Sequence, residues 1–592
     1  MQKKNILIVP ATEKGRGGGH LTRCISLTND LRYMDKEAFL FIPDQDRDLS
    51  TLYRSLNFNP KWCITNEELG IRNEELKESF DFIILDRYQT SLDELLRWKR
   101  IGPVIGIDEG GLYRDSFDFL IDILIPKGMV KPSANFASPA LVIKNKFTTN
   151  SNLRFAHEPS RTTDKILITF GQEDSAGLGI KIANKLSVMK NKHAFDITLL
   201  RGALANLNRT LGSEKLPQNI NVIENIPNLA EHLGEYNLVI THYGLTAYEA
   251  AFAGTPVLLA HPTKYHKKLA KIAGFKTFSL GQKLCGFAAL REKKKENITL
   301  AELCSTFSPQ VNRNCPVCGA DNARSIARFS DRTYRRCKQC GIIYMDRLTS
   351  ASIKYEKDYF FESYKKQYGK TYLEDFEKIK QTGKNRLKKI KSLLGVLKEK
   401  PSILDIGCAY GPFLAAAKEA GFSPAGIEPC EDAVKYINEK LGLQAIHGIF
   451  PNTLIASSYD VISLWLVIEH FTGCKKVIAQ IRKLLKPGGI LAFSTPSFSG
   501  ISGRTNVRRF LSVSPQDHFT VWSPKSVKKA LSLLGFKVKK IAVTGHHPLR
   551  FPLFGKLAKG RKSPFYWLLL AVSKLFRLGD TFEVYAQKKE TT

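Results

Sequence analysis

The stretch Ile403–Phe413, ILDIGCAYGPF, changes character twice. Ile403 to Ile406 reads as a buried strand, Gly407 and Gly411 bracket a turn, and a helix is expected from Phe413 to Ala420. A strand that opens through a glycine turn into a helix brings backbone amides and a helix N-terminus close to a ligand. After the next strand, an acid, Glu428, follows Gly407 by about 20 residues, the placement that sets a carboxylate against ribose hydroxyls in dinucleotide folds.

Downstream, LQAIHG, YDVISLW, GILAFST and FEVYAQK continue a series of strands that began with SILDIG and SPAGIE, the signature of an αβ unit. With these residues in view, the chain from about Cys315 to its end resembles the class I S-adenosylmethionine-dependent methyltransferases. ILDIGCAYGPF is similar to their first motif, with Ala409 in place of the middle glycine of GxGxG, and GIEP to their second. YDVISLWLVIEHF, LLKPGGILAFSTPS and SPQDHFTVWSPKSVKKALSLLGF resemble later segments of the same family. The resemblance implies S-adenosyl-L-methionine held by Asp405, Gly407, Gly411 and Glu428, with Asp460 and the run Trp465 to His470 lining the floor between donor and acceptor. Methyl transfer needs in-line positioning, and a base only where the nucleophile is a hydroxyl or an acidic C–H. His470 and His518 are the candidates for that base, and a packed structural histidine is the alternative for each.

Upstream, Cys315-x2-Cys318 and Cys337-x2-Cys340 are separated by 18 residues, the spacing of a four-thiolate zinc ribbon. Four thiolate ligands make a closed site, so the expected Zn2+ is structural. A zinc ribbon ahead of a YxxxYF segment, here Tyr355 to Phe360, recurs among methyltransferases that modify sugars and surface glycans.

The first 280 residues alternate strands and helices a second time. NILIVP, AFLFIP, DFIILD and VIGIDEG come first, then KILITFG, FDITLL, INVIEN, LVITHYG and TPVLLAH, read as two doubly wound halves joined through the polar stretch from Phe147 to Asp164. After the first strand, GRGGGHLTRC lacks the Lys-Ser/Thr ending of a phosphate loop. As a dinucleotide fingerprint it also fails, since no acid follows AFLFIP until Asp44. What remains is a glycine-rich turn presenting His20 and Arg23 at the mouth of the sheet, ahead of a helix near Leu21–Leu31. The segment resembles the UDP-sugar hydrolases of the pseudaminic acid pathway, which have the two-domain GT-B fold. Gly17, Gly19, His20 and Arg23 match that family's GxGHxxR, which implies His20 as the base that activates water. DRY at Asp86 to Tyr88 is similar to its Asp-x-Tyr and places Tyr88 in the catalytic set. Gly171 falls in the second-half loop, and Gly244, Thr246 and Glu249 fall in the uridine site, with Glu249 implied on the ribose and Arg23 and the Gly171 loop on the diphosphate. The family's Gly-Gly-Ser is here Tyr243-Gly244-Leu245, its second-half Gly-Gly is Gly171-Gln172, and His266 stands where a glutamine is usual.

Composition sets the outer bounds. The chain has 592 residues, 43% hydrophobic and 24% charged, which fits several soluble domains and excludes a multi-span membrane protein. Eleven cysteines, scattered apart from the ordered cluster, argue for a reducing compartment, and no apolar run near the N-terminus is long enough for a signal peptide. A cytoplasmic location is expected. The net charge of +33 favours an anionic partner, and nucleic acid is a poor one because no RNA-binding module accompanies the charge. Between Lys525 and Lys589 stand fifteen Lys/Arg and only two acids, Asp580 and Glu583, around the apolar PFYWLLLAVSKLFRLG. This reads either as an interfacial membrane helix or as a cap on the last domain.

The expected fold class is α/β: two Rossmann-like GT-B halves at 1–150 and 160–285, a linker at 286–312, a zinc ribbon at 313–345 and a class I methyltransferase domain at 355–592. The expected function is bifunctional, a UDP-sugar hydrolase or glycosyltransferase-like first half with a methyltransferase that acts on a sugar or glycan. The alternatives are an inactive nucleotide-binding or scaffold first half, and a nucleic-acid methyltransferase.

Overall fold

A computed structural model describes residues 5–12, 18–43, 49–69, 80–126, 128–142, 163–171, 174, 176–188, 194–202, 220–224, 226, 229–278, 298–350, 359–395, 399–453, 455, 458–558 and 560–589. Gly17, Asp44, Gln172, Tyr355 and most of the joining stretch after Phe147 lie outside the described residues. The chain divides into two compact units, the first comprising residues 1–310, 328–332 and 347–349, the second 311–327, 333–346 and 350–592.

The first unit holds two sheets. In one, β1 (Asn5–Pro10), β2 (Glu37–Phe41), β3 (Cys63–Ile64), β4 (Phe82–Asp86), β5 (Val104–Ile107), β6 (Phe119–Asp122) and β7 (Phe136–Ala137) lie in the order β3-β2-β1-β4-β5-β6-β7. In the other, β8 (Thr163–Thr169), β9 (Ala194–Leu200), β10 (Ile220–Ile223), β11 (Leu238–Thr241), β12 (Val257–Ala260) and β13 (Thr277–Phe278) follow β10-β9-β8-β11-β12-β13. The pairings are parallel throughout both. The strands are near-continuous apolar runs because crossover helices cover both faces; β4 is buried at every position. Each order reverses direction at the first strand, and in such sheets ligands bind at that switch point, outside the C-terminal ends of the strands. Within the stretch expected as linker, the helix Leu300–Ser305, closed by a Thr299/Glu302 capping box, precedes β14 (Phe307–Gln310).

The second unit begins with the cysteine ribbon, built on β15 (Ala323–Phe329), β16 (Arg332–Cys337) and β17 (Ile343–Thr349). Its main sheet contains β18 (Ser402–Ile406), β19 (Ser423–Glu428), β20 (Gln444–His447), β21 (Tyr459–Trp465) and β22 (Leu485–Pro496); β23 (Thr520–Val521) stands apart, and β24 (Phe536–Thr544) and β25 (Thr581–Lys588) complete the edge. The order is β20-β19-β18-β21-β22-β25-β24, parallel except that β25 runs antiparallel to both neighbours. Thr520 and Val521 of β23 pair with Tyr344 and Ile343 of β17, so the ribbon is tied to the segment that carries His518. The ribbon cysteines 315, 337 and 340 share one apolar core with the main sheet.

Candidate functional site

The glycine turn sits where the sequence put it. Gly407 and Gly411 have φ of +71° and +79°, and Ala409 between them has φ of +48°, so the turn runs in left-handed conformations that favour glycine. Its packing is close: a Cβ on Gly407 would stand 2.7 Å from the Val467 side chain, and one on Gly411 2.9 Å from Ile437. The helix Pro412–Glu419 begins at once, with proline in its first turn. Glu428, the last residue of β19, is 3% exposed and accepts hydrogen bonds from the backbone N–H of Ala409 (2.8 Å) and of Cys430 (3.2 Å). Burial pushes its carboxyl up to about 7. Asp405 is buried beside it in the next strand, accepts from the Ser463 hydroxyl at 2.6 Å, and is likewise raised to about 7 by burial. Phe360, Tyr372, Tyr410 and Tyr436 stack edge to face over the turn, with Phe360 and Tyr410 ring centroids 5.3 Å apart.

Asp460 is elsewhere. It is the second residue of β21, level with Ser402, whose amide and hydroxyl it accepts at 2.9 and 2.8 Å, and it pairs with Lys486 at 2.8 Å. That is the N-terminal end of the strands, roughly 16 Å of chain from Gly407 at 3.3 Å per residue. Asp460 therefore ties two strand starts together and takes no part at the turn, which corrects its expected role.

His470 and His518 come together. Their rings meet edge to face with centroids 4.7 Å apart, and His470 Nδ1 lies 2.9 Å from Asp517 Oδ2. Burial lowers the His470 pKa, but the Asp517 hydrogen bond and the charges of Glu469 and Asp517 outweigh it, and the net shift is upward. Glu469 is 1% exposed, and burial raises its carboxyl to about 7 against the opposing charge of His470. One side-chain atom each from Glu469, His470 and His518 lies within 4.8 Å of the others. Asp517 lies outside the residues the sequence singles out, and Glu469 enters there only within the run Trp465 to His470; a carboxylate next to a chosen histidine was the available signal.

The four ribbon thiols converge. Cys315 and Cys340 Sγ are 3.7 Å apart and Cys318 and Cys337 Sγ are 3.6 Å apart. A tetrahedral ion with metal–sulfur distances of about 2.3 Å needs sulfurs roughly 3.8 Å apart, so the donor set fits zinc. Gly319 and Gly341 take the positive φ (+83° and +78°) that each knuckle turn requires.

In the first unit, His20 occupies the first turn of the helix Gly18–Tyr33 rather than the preceding loop, so the helix starts three residues earlier than expected. Gly19 lies in the same turn, where a Cβ would meet nothing within 4 Å. His20 Nδ1 is 2.6 Å from Asp86 Oδ1 at the C-terminal end of β4. Arg23, one turn on, donates to both Asp86 oxygens (2.6 and 2.5 Å) and to Asp108 (2.7 Å), and is buried. Burial alone would raise the Asp86 carboxyl, but Arg23 and His20 hold it well below the carboxylate range. The Arg23 guanidinium is thus engaged by two carboxylates, which corrects its expected contact with a diphosphate. Asp108 itself accepts from the amides of Ile123 and Leu124, both at 2.7 Å. The Tyr88 ring packs against Tyr265, centroids 5.0 Å apart. Gly171 (φ +74°) and Gly244 both approach the Cε1 edge of His242, whose pKa falls to about 4 through burial and through the neighbouring His266 and His261. Gly244 precedes the helix Leu245–Phe252, which carries Thr246 in its first turn and Glu249 one turn later.

Residues 378–541 match a family described as a methyltransferase domain. Among curated proteins, an uncharacterized protein of Methanocaldococcus jannaschii is 23% identical over 278 residues, covering 43% of this chain and 57% of its own. The ubiquinone biosynthesis O-methyltransferase of Histophilus somni is 32% identical over 133 residues, 20% of this chain and 55% of its own. The chain thus spans little more than half the length of these relatives. A solved SAM-dependent methyltransferase from Archaeoglobus fulgidus is 18% identical, with a TM-score of 0.28, over 39% of this chain and 100% of that one.

Proposed function

We propose that the protein is an S-adenosylmethionine-dependent methyltransferase acting on a hydroxyl of a sugar or glycan, joined to a first unit that handles a UDP-sugar. The observation that carries the donor site is the left-handed turn Gly407–Gly411 beside the buried Glu428. An ionised carboxylate has about four acceptor sites, so Glu428 keeps capacity for ribose hydroxyls while bonded to two amides. Bound there, S-adenosylmethionine supplies a methyl group on a sulfonium for in-line transfer. The chain's own residues do the rest. The turn amides and the helix start at Pro412 receive the donor's polar end, and the aromatic cover of Phe360, Tyr372 and Tyr410 excludes water. His470, oriented by Asp517, takes the acceptor proton at its second ring nitrogen, with His518 packed against it. Oxygen as the methylated atom is supported by the O-methyltransferases among the relatives.

For the first unit, His20 sits between β1 and β4, the point where the strand order reverses, with Asp86 fixing its orientation. This arrangement supports general-base activation of water or of an acceptor hydroxyl at a UDP-sugar, with Tyr88 nearby and Gly244, Thr246 and Glu249 at the nucleotide end. The ribbon holds structural Zn2+, supported by the spacing of its thiols. The test is direct: full-length protein with S-adenosylmethionine carrying a labelled methyl group and extracted cell-surface glycans, and separately with UDP-sugars. Label on glycan that His470→Ala abolishes supports the reading; label only on nucleic acid overturns it.

A further inference from the structure

Residues 545–579 contain seven Lys or Arg and no Asp or Glu. The same stretch carries a dense set of exposed large apolar side chains. Leu553 is 87% exposed and Leu575 77%, and Phe554, Phe565, Trp567 and Leu568 stand with them. On the helix Pro564–Leu575 the buried positions are Leu569 and Ser573. Phe565, Leu568, Ala571 and Leu575 recur on another face at spacings of three and four, and all are exposed. Leu553 adds a second observation: a leucine held at φ +61°, a conformation unfavourable for any side chain, presents its whole side chain to solvent at a loop tip. Lys556, Arg561, Lys562 and Lys574 are exposed around this apolar surface.

A contiguous apolar surface with a one-signed charged rim marks a docking site. A second copy of the chain would bring the same basic rim against itself, and like charges facing each other oppose pairing. A membrane of anionic lipids satisfies both parts at once, since aromatic and leucine side chains enter the headgroup–acyl boundary while Lys and Arg meet the lipid charge. No helix among the described residues is long and apolar enough to cross a membrane, and the helix Pro564–Leu575, twelve residues and about 18 Å long, suits a position in the plane of the interface.

We propose that residues 549–577 dock the protein on an anionic lipid surface, with the helix Pro564–Leu575 lying flat in it. The methyl-donor reading is separate: donor binding resides in other residues and is measured independently. The experiment is co-sedimentation of the full chain with vesicles of phosphatidylcholine alone or with phosphatidylglycerol at three in ten, at low and high salt. Alongside it run the paired variants Phe565→Ser/Leu568→Ser and Arg561→Glu/Lys562→Glu, both at exposed positions, each checked for an unchanged thermal midpoint and unchanged S-adenosylhomocysteine binding. The expected result is pelleting with the anionic vesicles, release by high salt, and at least about tenfold weaker partitioning for each variant. Pelleting equal with both vesicle types, no pelleting, or variants that pellet like the wild type would overturn the proposal. So would a dimer at micromolar concentration that the same variants dissolve, which would assign the surface to a second copy.

Discussion

Glu428 carries a titration that donor binding should report. With its carboxyl at about 7, it is largely protonated at pH 6 and ionised at pH 8, and only the ionised form accepts charge-assisted bonds from two hydroxyls. S-adenosylhomocysteine affinity measured by calorimetry should therefore rise between pH 6 and pH 8. Glu428→Gln should flatten that profile and weaken binding by about tenfold at pH 8, the scale of a lost charged hydrogen bond; a flat wild-type profile would contradict the assignment. Glu469 bears on stability instead. Its folded pKa of about 7 lies above the ordinary 4.5, so the protonated form favours folding fully below that value and the contribution is lost as pH rises through 7. Glu469→Gln should consequently raise the thermal midpoint at pH 8 and leave it unchanged near pH 4.5. In the first unit, Asp86→Ala removes one of the two carboxylates that engage the buried Arg23, leaving Asp108, and should cost about 1–3 kcal/mol in denaturant unfolding.

The ribbon and the segment that carries His518 are coupled elements. Besides the β17–β23 pairing, Met345 N–H donates to the Phe519 carbonyl at 2.9 Å, one residue from His518, and Lys475 N–H donates to Pro316 within the first knuckle at 2.8 Å. Removing the proposed zinc with a chelator, or Cys318→Ser, should lower methyl transfer as well as the thermal midpoint, with S-adenosylhomocysteine affinity less affected. Unchanged transfer by metal-free protein would sever that link. The legible parts of the fold were those set by local pattern. The apolar runs with their intervening helices gave the parallel sheets, and Gly407 with Gly411 marked a turn that only permissive backbone can make. What escaped was set by register and by long-range pairing. YDVISLW reads as a strand, but nothing within it says that Asp460 stands at the entry end, opposite Ser402. Glycines before His20 suggested a loop, whereas the helix has already begun at Gly18. Arg23 looked available for phosphate because the two carboxylates that engage it, Asp86 and Asp108, lie 63 and 85 residues away. FDFLIDILIP hid β6 inside an apolar stretch interrupted by Asp118 and Asp122, which lacks the strict alternation of a half-buried strand.

At the scale of the whole molecule, each unit carries a candidate site at the C-terminal ends of parallel strands, the His20–Asp86 pair in the first and the Gly407–Gly411 turn with Glu428 in the second. The two are chemically separable: His20→Ala should abolish the proposed UDP-sugar turnover while S-adenosylhomocysteine binding stays at the wild-type level. The proposed activity rests on the methyl-donor site of the second unit. The measurement that tests it most directly is calorimetric titration of the full-length protein with S-adenosylhomocysteine at pH 8, repeated with Gly407→Val, which would force a Cβ onto Val467 in a left-handed turn. One site per chain is expected for the wild type and none for a variant that remains folded by circular dichroism. Absence of binding to the wild type, or undiminished binding to the folded variant, would contradict it.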